Sequence, residues 1–339
     1  MKRLTSSLSR TITVSASLAA APPLLILLVA GGIGTRAFAQ TPPEFTATES
    51  RTNGDFVLRW TGTPGSTQQL QVSSNLFDWS TLTTSLATAN NQQADTSAAY
   101  RDWRAYRVVD LGITNLLTGD HVPTAKGEVV VHPVKHASLV LQWGERMIYN
   151  DPVGGAAPYS KFPRADLVLV SHSHGDHFDA STLSAVLGPE GRIIAPAAVF
   201  SSLSLALRAK TISLANGQST NVIGLMVEAI PAYNSNHPKG TGNGYVVTIG
   251  ERRFFFSGDT GDIPEMRALQ NIDVAFVCMN LPFTMTIPQA VGAVRAFQPG
   301  IVYPYHFANP DGSNKSNTNQ FKIQVGTDLG IEVRLRNWY

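Results

Sequence analysis

The chain has little cysteine, little charge and no long apolar run outside its N-terminus. Cys278 is the single cysteine among 339 residues, so no disulfide can form within the chain. Charged residues make up 15% and the formal net charge is +2, which is too small an excess to predict a nucleic-acid partner. Hydrophobic residues make up 43%, enough for a sizeable core, and the length predicts two domains or one large domain with an appendage.

The N-terminus has the order of segments that is typical of a bacterial secretory signal peptide. Three basic residues lie within the first ten, an apolar stretch follows over about 16–33, and Ala37–Ala39 is an A-x-A cleavage site. We predict that residues 1–39 are removed and that the mature protein is periplasmic or extracellular, without membrane attachment. An uncleaved anchor is the alternative, although two prolines and two glycines interrupt the stretch, which is barely long enough to span a bilayer.

Residues 42–111 are rich in Ser, Thr, Asn and Gln, and their short apolar runs alternate with turn residues. Phe56, Leu58 and Trp60 share one face of a predicted strand. Several such strands with regular turns predict a small N-terminal all-β sandwich, which loosely resembles the fibronectin type III-like modules of exported bacterial proteins. A passive spacer is the favoured role, because no aromatic cluster of this stretch is clearly exposed, and a binding or attachment module for a surface or polymer is the alternative. A linker is predicted over 112–125.

From residue 126 to residue 339, apolar strands alternate with helices, which predicts an α/β domain. Thr286 and Gln289 have the spacing of a capping box, which predicts a helix that ends before Pro299. The buried strand predicted at Ala165–Val170 runs into Ser171–His177, which holds three histidines and an aspartate. Imidazole nitrogens and a carboxylate at this density are typical of a site for zinc or a similar metal.

The spacing His-x-His-x-Asp-His resembles the signature of the metallo-β-lactamase superfamily. Three other segments are similar to that family's pattern: Arg253–Thr260 ends in a Gly-Asp loop, Ile301–Phe307 contains a strand that ends in a histidine, and Asn150–Pro152 follows an earlier strand. The resemblance implies an αβ/βα sandwich of four layers over residues 126–339. Each of the three segments places a polar residue at the end of an apolar strand, which is how a rigid sheet can hold several ligands around one point.

The resemblance also implies two metal ions, with zinc expected and manganese or iron as alternatives. The implied ligands are His172, His174, Asp176, His177, Asp259 and His306. Asp259 would bridge the ions, and Asp176 and Asp259 would be the catalytic residues, because they hold the metals that share an attacking hydroxide. Asp151 would orient a ligand histidine, and His136 would be buried near the site.

One ligand of the first ion is left open by the sequence. The superfamily has a further histidine before the Gly-Asp loop, and Asn234 stands at that place, with His237 three residues later. The stretch around them resembles a subgroup of metal-dependent hydrolases with Pro-Ala-Tyr-Asn and His-Pro-Lys-Gly patterns. Both residues are therefore candidate ligands. Lys239 is the candidate cation for an anionic group of the substrate, and Tyr233 is a further candidate for substrate binding.

The function predicted from these features is hydrolysis of a small-molecule ester, lactone, amide or phosphodiester. Asp259 argues against the main zinc β-lactamases, which lack an aspartate at that position, and the length after His177 leaves no room for the inserted domain of the nuclease branch. The alternative is a non-catalytic exported binding protein on the same fold. Such a protein would lack several metal ligands, whereas most of the implied ligands are present in this sequence. The oligomeric state is not predicted.

Overall fold

The computed structural model describes residues 13–14, 27–32, 43–100, 104–114 and 116–339. Most of the predicted signal peptide therefore lies outside the described residues, and its cleavage stays a prediction. Among the described residues, no helix is long and apolar enough to cross a membrane. The chain divides into unit 1, Met1–Thr118, and unit 2, Gly119–Tyr339.

Unit 1 is built from strands, as predicted for its sequence. They are β1 (Thr13–Val14), β2 (Leu27–Gly32), β3 (Phe45–Ser50), β4 (Phe56–Thr61), β5 (Thr67–Ser73), β6 (Ser80–Leu86), β7 (Asn90–Asp95) and β8 (Ala105–Asp110), with a 3-10 turn at Ala98–Tyr100. Strands β3, β4 and β7 form one antiparallel sheet, and β8 and β5 lie between β2 and β6 in another. Phe56, Leu58 and Trp60 pack with side chains of β5 and β8 in a common core. The similarity to fibronectin type III modules stays a prediction.

Unit 2 contains two sheets that repeat one pattern. The strands of the first are β9 (Gly119–Thr124), β10 (Gly127–Lys135), β11 (Ser138–Trp143), β12 (Arg146–Asn150), β13 (Ala165–Leu169), β14 (Leu187–Ala195) and β15 (Thr211–Ser213). The strands of the second are β16 (Ser219–Val222), β17 (Leu225–Ala232), β18 (Gly242–Ile249), β19 (Arg252–Phe256), β20 (Val274–Cys278), β21 (Ile301–Tyr305) and β22 (Glu332–Val333). In each sheet, neighbouring strands follow one another in chain order. The strands from β9 to β12 and from β16 to β19 pair antiparallel, and the strands from β12 to β15 and from β19 to β22 pair parallel.

The two sheets share one hydrophobic core, to which helices add further side chains. The helices are α1 (Ala180–Val186), α2 (Ala197–Ser202), α3 (Leu205–Arg208), α4 (Pro264–Arg267), α5 (Ile287–Phe297) and α6 (Thr318–Val325), with a 3-10 turn at Ala157–Tyr159. The capping box predicted at Thr286 is present at the start of α5, and Gln298 ends the helix in the left-handed conformation. The described residues thus have the predicted α/β sandwich in unit 2 and the predicted all-β part in unit 1.

The structure differs from the predicted linker, because Gly119–Thr124 is a strand that pairs with β10. The strand was not expected because two of its buried residues are polar. Asp120 is held by Arg336, whose Nε lies 2.7 Å from a carboxylate oxygen, and His121 Nδ1 lies 2.9 Å from a carboxylate oxygen of Glu128. Ionic partners from elsewhere in unit 2 thus replace the apolar pattern by which a strand is predicted.

Candidate metal centre

Four strand ends bring the predicted site residues together. Asp151 follows β12, the loop 171–177 follows β13, Asp259 follows β19, and His306 follows β21. All four strands belong to the parallel parts of the sheets, whose carboxyl ends are where loops of an α/β fold gather binding residues. Six of the eight histidines of the chain are in contact range at this edge.

Two clusters that share no residue hold candidate ligand atoms within 4.8 Å of one another, and a third such group, His172, His177 and Asp259, joins them. The first cluster consists of His172, His174 and His237. The second cluster consists of His136, Asp176, His177 and His306. The sequence assigns two residues of this set to neither cluster, since His237 is one of two alternatives for the open position and His136 is expected only near the site.

Asp259 lies between the two clusters. Its Oδ1 is 3.2 Å from Nε2 of His177 and 3.3 Å from Nε2 of His306, both in the second cluster. Its Oδ2 is 3.6 Å from Nε2 of His237 and 3.9 Å from Nε2 of His172, both in the first cluster. One carboxylate therefore presents each of its oxygens to a different cluster.

The buried atoms of this centre fit metal ions. Nε2 of His172, His177 and His306 and Oδ1 of Asp259 are buried and have no hydrogen-bond partner within the described chain. A buried polar atom without a partner costs about 1–3 kcal/mol, so a folded protein does not normally collect several at one point. Nitrogen and carboxylate donors that converge in this way match the ligand preference of zinc and of related transition metals.

The charges of the centre also favour cations. Burial would raise the pKa of Asp259, but the neighbouring His177 and His306 hold it well below its usual value. Burial lowers the pKa of His172 and of His237, which keeps both imidazoles neutral with a free lone pair. The pKa of His177 is raised, because Asp259 and Asp151 outweigh its burial.

Asp151 contacts His177 and Ser171, which is the arrangement that a carboxylate behind a ligand histidine would have. Its Oδ2 lies 2.8 Å from Nδ1 of His177 and accepts a hydrogen bond from the Ser171 hydroxyl at 2.7 Å. Its Oδ1 accepts from the Ser171 backbone N–H at 2.7 Å. Because a carboxylate only accepts, His177 carries a proton on Nδ1, and Nε2, which faces Asp259, is the atom at which a metal ion could take the place of a proton. The partner Ser171 was not among the predicted residues, although it directly precedes the motif.

The two candidates for the open position have different places in the structure. His237 lies in the first cluster, with Nε2 at 3.2 Å from Nδ1 of His174. The amide oxygen of Asn234 accepts from the backbone N–H groups of Asn236 and His237, and lies 3.0 Å from Nδ1 of His237. Its amide nitrogen donates to the Phe283 carbonyl. Asn234 therefore does not take the position expected of a ligand, because both ends of its side-chain amide contact other groups of the protein. It orients His237 instead.

His136 joins the second cluster from the turn between β10 and β11. Its Nε2 lies 3.1 Å from Oδ2 of Asp176, and its Nδ1 lies 2.8 Å from the hydroxyl of Tyr339. Burial lowers the pKa of His136 to about 4, so the ring is neutral near pH 7. Its ring centroid is 3.8 Å from that of His306. No sequence pattern pointed to Tyr339, which reaches the centre only through the tertiary fold.

The predicted substrate residues Lys239 and Tyr233 lie together near Glu265. The Lys239 ammonium is 2.5 Å from one carboxylate oxygen of Glu265, and the Tyr233 hydroxyl donates to the other at 3.0 Å. The ammonium also lies 4.9 Å from the centroid of the Tyr233 ring. Glu265 thus neutralises Lys239, which differs from the expectation of a free cation at this position.

Comparison with known proteins decides the family. A model described as a beta-lactamase superfamily domain matches residues 146–307, which include Asp151 and the loop 171–177. A UPF0173 metal-dependent hydrolase of Thermoplasma acidophilum is 31% identical over 189 residues, which are 52% of this chain and 80% of the relative. The chain belongs to the metal-dependent hydrolases of the metallo-β-lactamase superfamily. The predicted superfamily and enzyme class are confirmed.

Solved structures agree with this assignment of the metallo-β-lactamase fold. A candidate metal-dependent hydrolase from Parabacteroides distasonis is 37% identical, with a TM-score of 0.58 over 65% of this chain and 99% of that one. The metallo hydrolase Igni18 from Ignicoccus hospitalis is 22% identical, with a TM-score of 0.53 over 61% and 94% of the two chains, and shows the fold alone. His136 and Tyr339 lie outside the region that the family model matches.

Proposed function

We propose that this metal-dependent hydrolase binds two metal ions, with zinc preferred, and cleaves a small-molecule ester, lactone, amide or phosphodiester. The observation that carries the proposal is the placement of Asp259, which offers one oxygen to each cluster. When bound, the ions would supply a nucleophile from water near neutral pH and a positive field for the charge that develops on the reacting group.

Each of the two clusters would hold one of those ions. His172, His174 and His237 would hold the first ion, and Asp176, His177 and His306 the second, with Asp259 shared between them. Asp151 keeps the proton of His177 on Nδ1, and Asn234 does the same for His237. Four of these ring and carboxylate atoms are buried, so little rearrangement is needed when the ions bind.

The proposal is tested by metal content and hydrolysis together. We expect the purified full chain to hold close to two zinc ions by elemental analysis, and to hydrolyse at least one member of a panel of lactones, p-nitrophenyl esters and bis-p-nitrophenyl phosphate. A chelator should abolish turnover, and added zinc should restore it. Turnover that persists in metal-free protein would contradict the proposal. Metal-loaded protein without turnover on any substrate class would favour the non-catalytic alternative.

Replacing Asp151 by asparagine should weaken binding of the second ion by about 10- to 100-fold. The amide nitrogen would face Nδ1 of His177 as a donor, so Nδ1 would have to accept and the ring would keep a proton on Nε2, the atom with which it would bind the ion. A competition titration with a chromophoric chelator measures the change. Asp166→Asn is the matched control, because Asp166 accepts from the Met147 backbone N–H at 2.8 Å. Equal zinc affinity in the Asp151 variant and the control would refute this role.

We also propose that the enzyme is exported, and the support is the order of basic, apolar and A-x-A segments in residues 1–39. Mass spectrometry of protein from the periplasm or medium should give a chain that begins near Gln40. A full-length chain confined to the cytoplasm would contradict export. Attachment to a surface or polymer through unit 1 is part of the same proposal, and it predicts that removal of this unit lowers retention on cells but leaves turnover of soluble substrates unchanged.

A further inference from the structure

A pocket of about 260 Å³ in unit 2 is lined by the start of α5 and by two loops. We name it the rim pocket. Its apolar lining comes from Leu281, Ile287 and Pro288, and its polar lining includes Thr286, Ser316 and Lys315. An apolar wall with a few polar groups and one cation is the usual lining of a site for a small organic molecule.

Lys315 connects the rim pocket to the second cluster. Its ammonium lies 5.2 Å from the ring centroid of Phe307 and 5.9 Å from that of Tyr339. Phe307 directly follows His306, and the Tyr339 hydroxyl contacts His136. Lys315 is exposed and has no carboxylate partner within 4.0 Å among the described residues, whereas Lys239 is paired with Glu265. The Lys315 ammonium is therefore free to meet an anion.

The loop Leu281–Phe283 connects the rim pocket to the first cluster. Asn314 donates to the Leu281 carbonyl at 2.8 Å from the pocket side. Asn236 and Asn234 donate to the Pro282 and Phe283 carbonyls at 2.7 and 2.9 Å, from the segment that carries His237. Three amides thus hold three consecutive carbonyls, which keeps the loop in place between the pocket and the metal centre.

The side chains of this loop remain in water although the backbone is held. Leu281 is 48% exposed and Phe283 is 44% exposed. Exposed apolar side chains on a well-anchored loop next to a cluster of candidate ligands are typical of a surface that a ligand covers. A ligand that lies over Leu281 and reaches Lys315 needs an apolar body and an anionic end.

We propose that the rim pocket binds the non-reacting part of the substrate, and that the substrate is an amphipathic small molecule with an apolar chain and one anionic oxygen group. Lys315 binds the anionic group, and Leu281, Ile287 and Pro288 cover the chain. This inference rests on the proposed function, since it assumes that the hydrolysed bond lies at the metal centre. It narrows the substrate class, because neutral compact lactones would leave Lys315 and the apolar wall unused.

The test compares octanoate with octanamide, which share a chain length and differ in charge. Calorimetry on the zinc-loaded full chain should give about threefold to fivefold tighter binding of octanoate, the range expected for one exposed ion pair. Lys315→Met should remove this preference, and Lys315→Arg should keep it. Lys126→Met is the matched control, because Lys126 is exposed and paired with Glu251 at 3.1 Å, and it should keep the preference as well. Leu281→Ala should weaken both ligands by a similar factor.

Two results would overturn the rim pocket as the binding site. The first is octanoate binding that Lys315→Met leaves unchanged, because the carboxylate would then be bound by the zinc ions. The second is the absence of binding for both probes. The readout does not require turnover, so it separates the two proposals. Binding that depends on Lys315 in a protein without hydrolase activity overturns the proposed function, whereas hydrolysis without such binding overturns the inference.

Discussion

Asp259→Asn is expected to lower hydrolysis by about 1000-fold and to reduce bound zinc from about two ions per chain to one or fewer. The reason is the division of its oxygens between the clusters. In asparagine one of the two positions becomes an NH2 group, which cannot bind a cation and would face imidazole nitrogens 3.2 to 3.9 Å away. The change also removes the negative charge that two nearby cations require.

Metal content by elemental analysis and single-turnover hydrolysis of a p-nitrophenyl ester measure the two effects. Asp328→Asn is the control, because Asp328 is exposed and pairs with Arg295 at 2.7 Å away from the centre. We expect this control to keep both metal and turnover. If Asp259→Asn retains two ions and full activity, the shared carboxylate is not the bridge and its proposed role is rejected.

His237→Ala is expected to abolish binding of the first ion and to lower turnover by about 100-fold or more. The reason is that only His172 and His174 would remain at the first cluster besides Asp259. Asn234→Ala should have a smaller effect, about tenfold in affinity for that ion, since it removes the acceptor at 3.0 Å from His237 Nδ1 but no ligand. Asn234→Asp keeps the acceptor beside Nδ1 of His237 but loses the hydrogen bond to the Phe283 carbonyl, so it should retain more affinity for that ion than Asn234→Ala does.

Zinc titrations of the three variants decide between the two residues that the sequence left open. A large loss in the alanine variant of Asn234, with none in that of His237, would show that the asparagine binds the ion and that the orienting role is wrong. Equal losses in both would mean that His237 ligates only when Asn234 holds it. Circular dichroism of each variant excludes loss of folding as the cause of a lower metal content.

Much of the fold could be predicted because its elements carry local signals. The strand at Ala165–Leu169 is apolar except for Asp166, and α5 begins at a capping box whose two residues are three positions apart in the chain. The strand β9 could not be predicted in this way, since Asp120 is stabilised by Arg336 from the far end of unit 2. A local hydrophobic pattern indicates residues that are buried in apolar contacts. It does not indicate residues that are buried in ion pairs with distant parts of the chain.

The sequence by itself determined the family, the α/β fold of unit 2, and a set of histidines and aspartates with the composition of a metal site. These features depend on short spacings and on residue type, which are read along the chain. Only the tertiary structure decided that His237 enters the first cluster, that His136 reaches Asp176, and that Asp259 divides its oxygens between two clusters. Those facts depend on which ring nitrogen or carboxylate oxygen faces which neighbour, and packing of the two sheets sets that orientation.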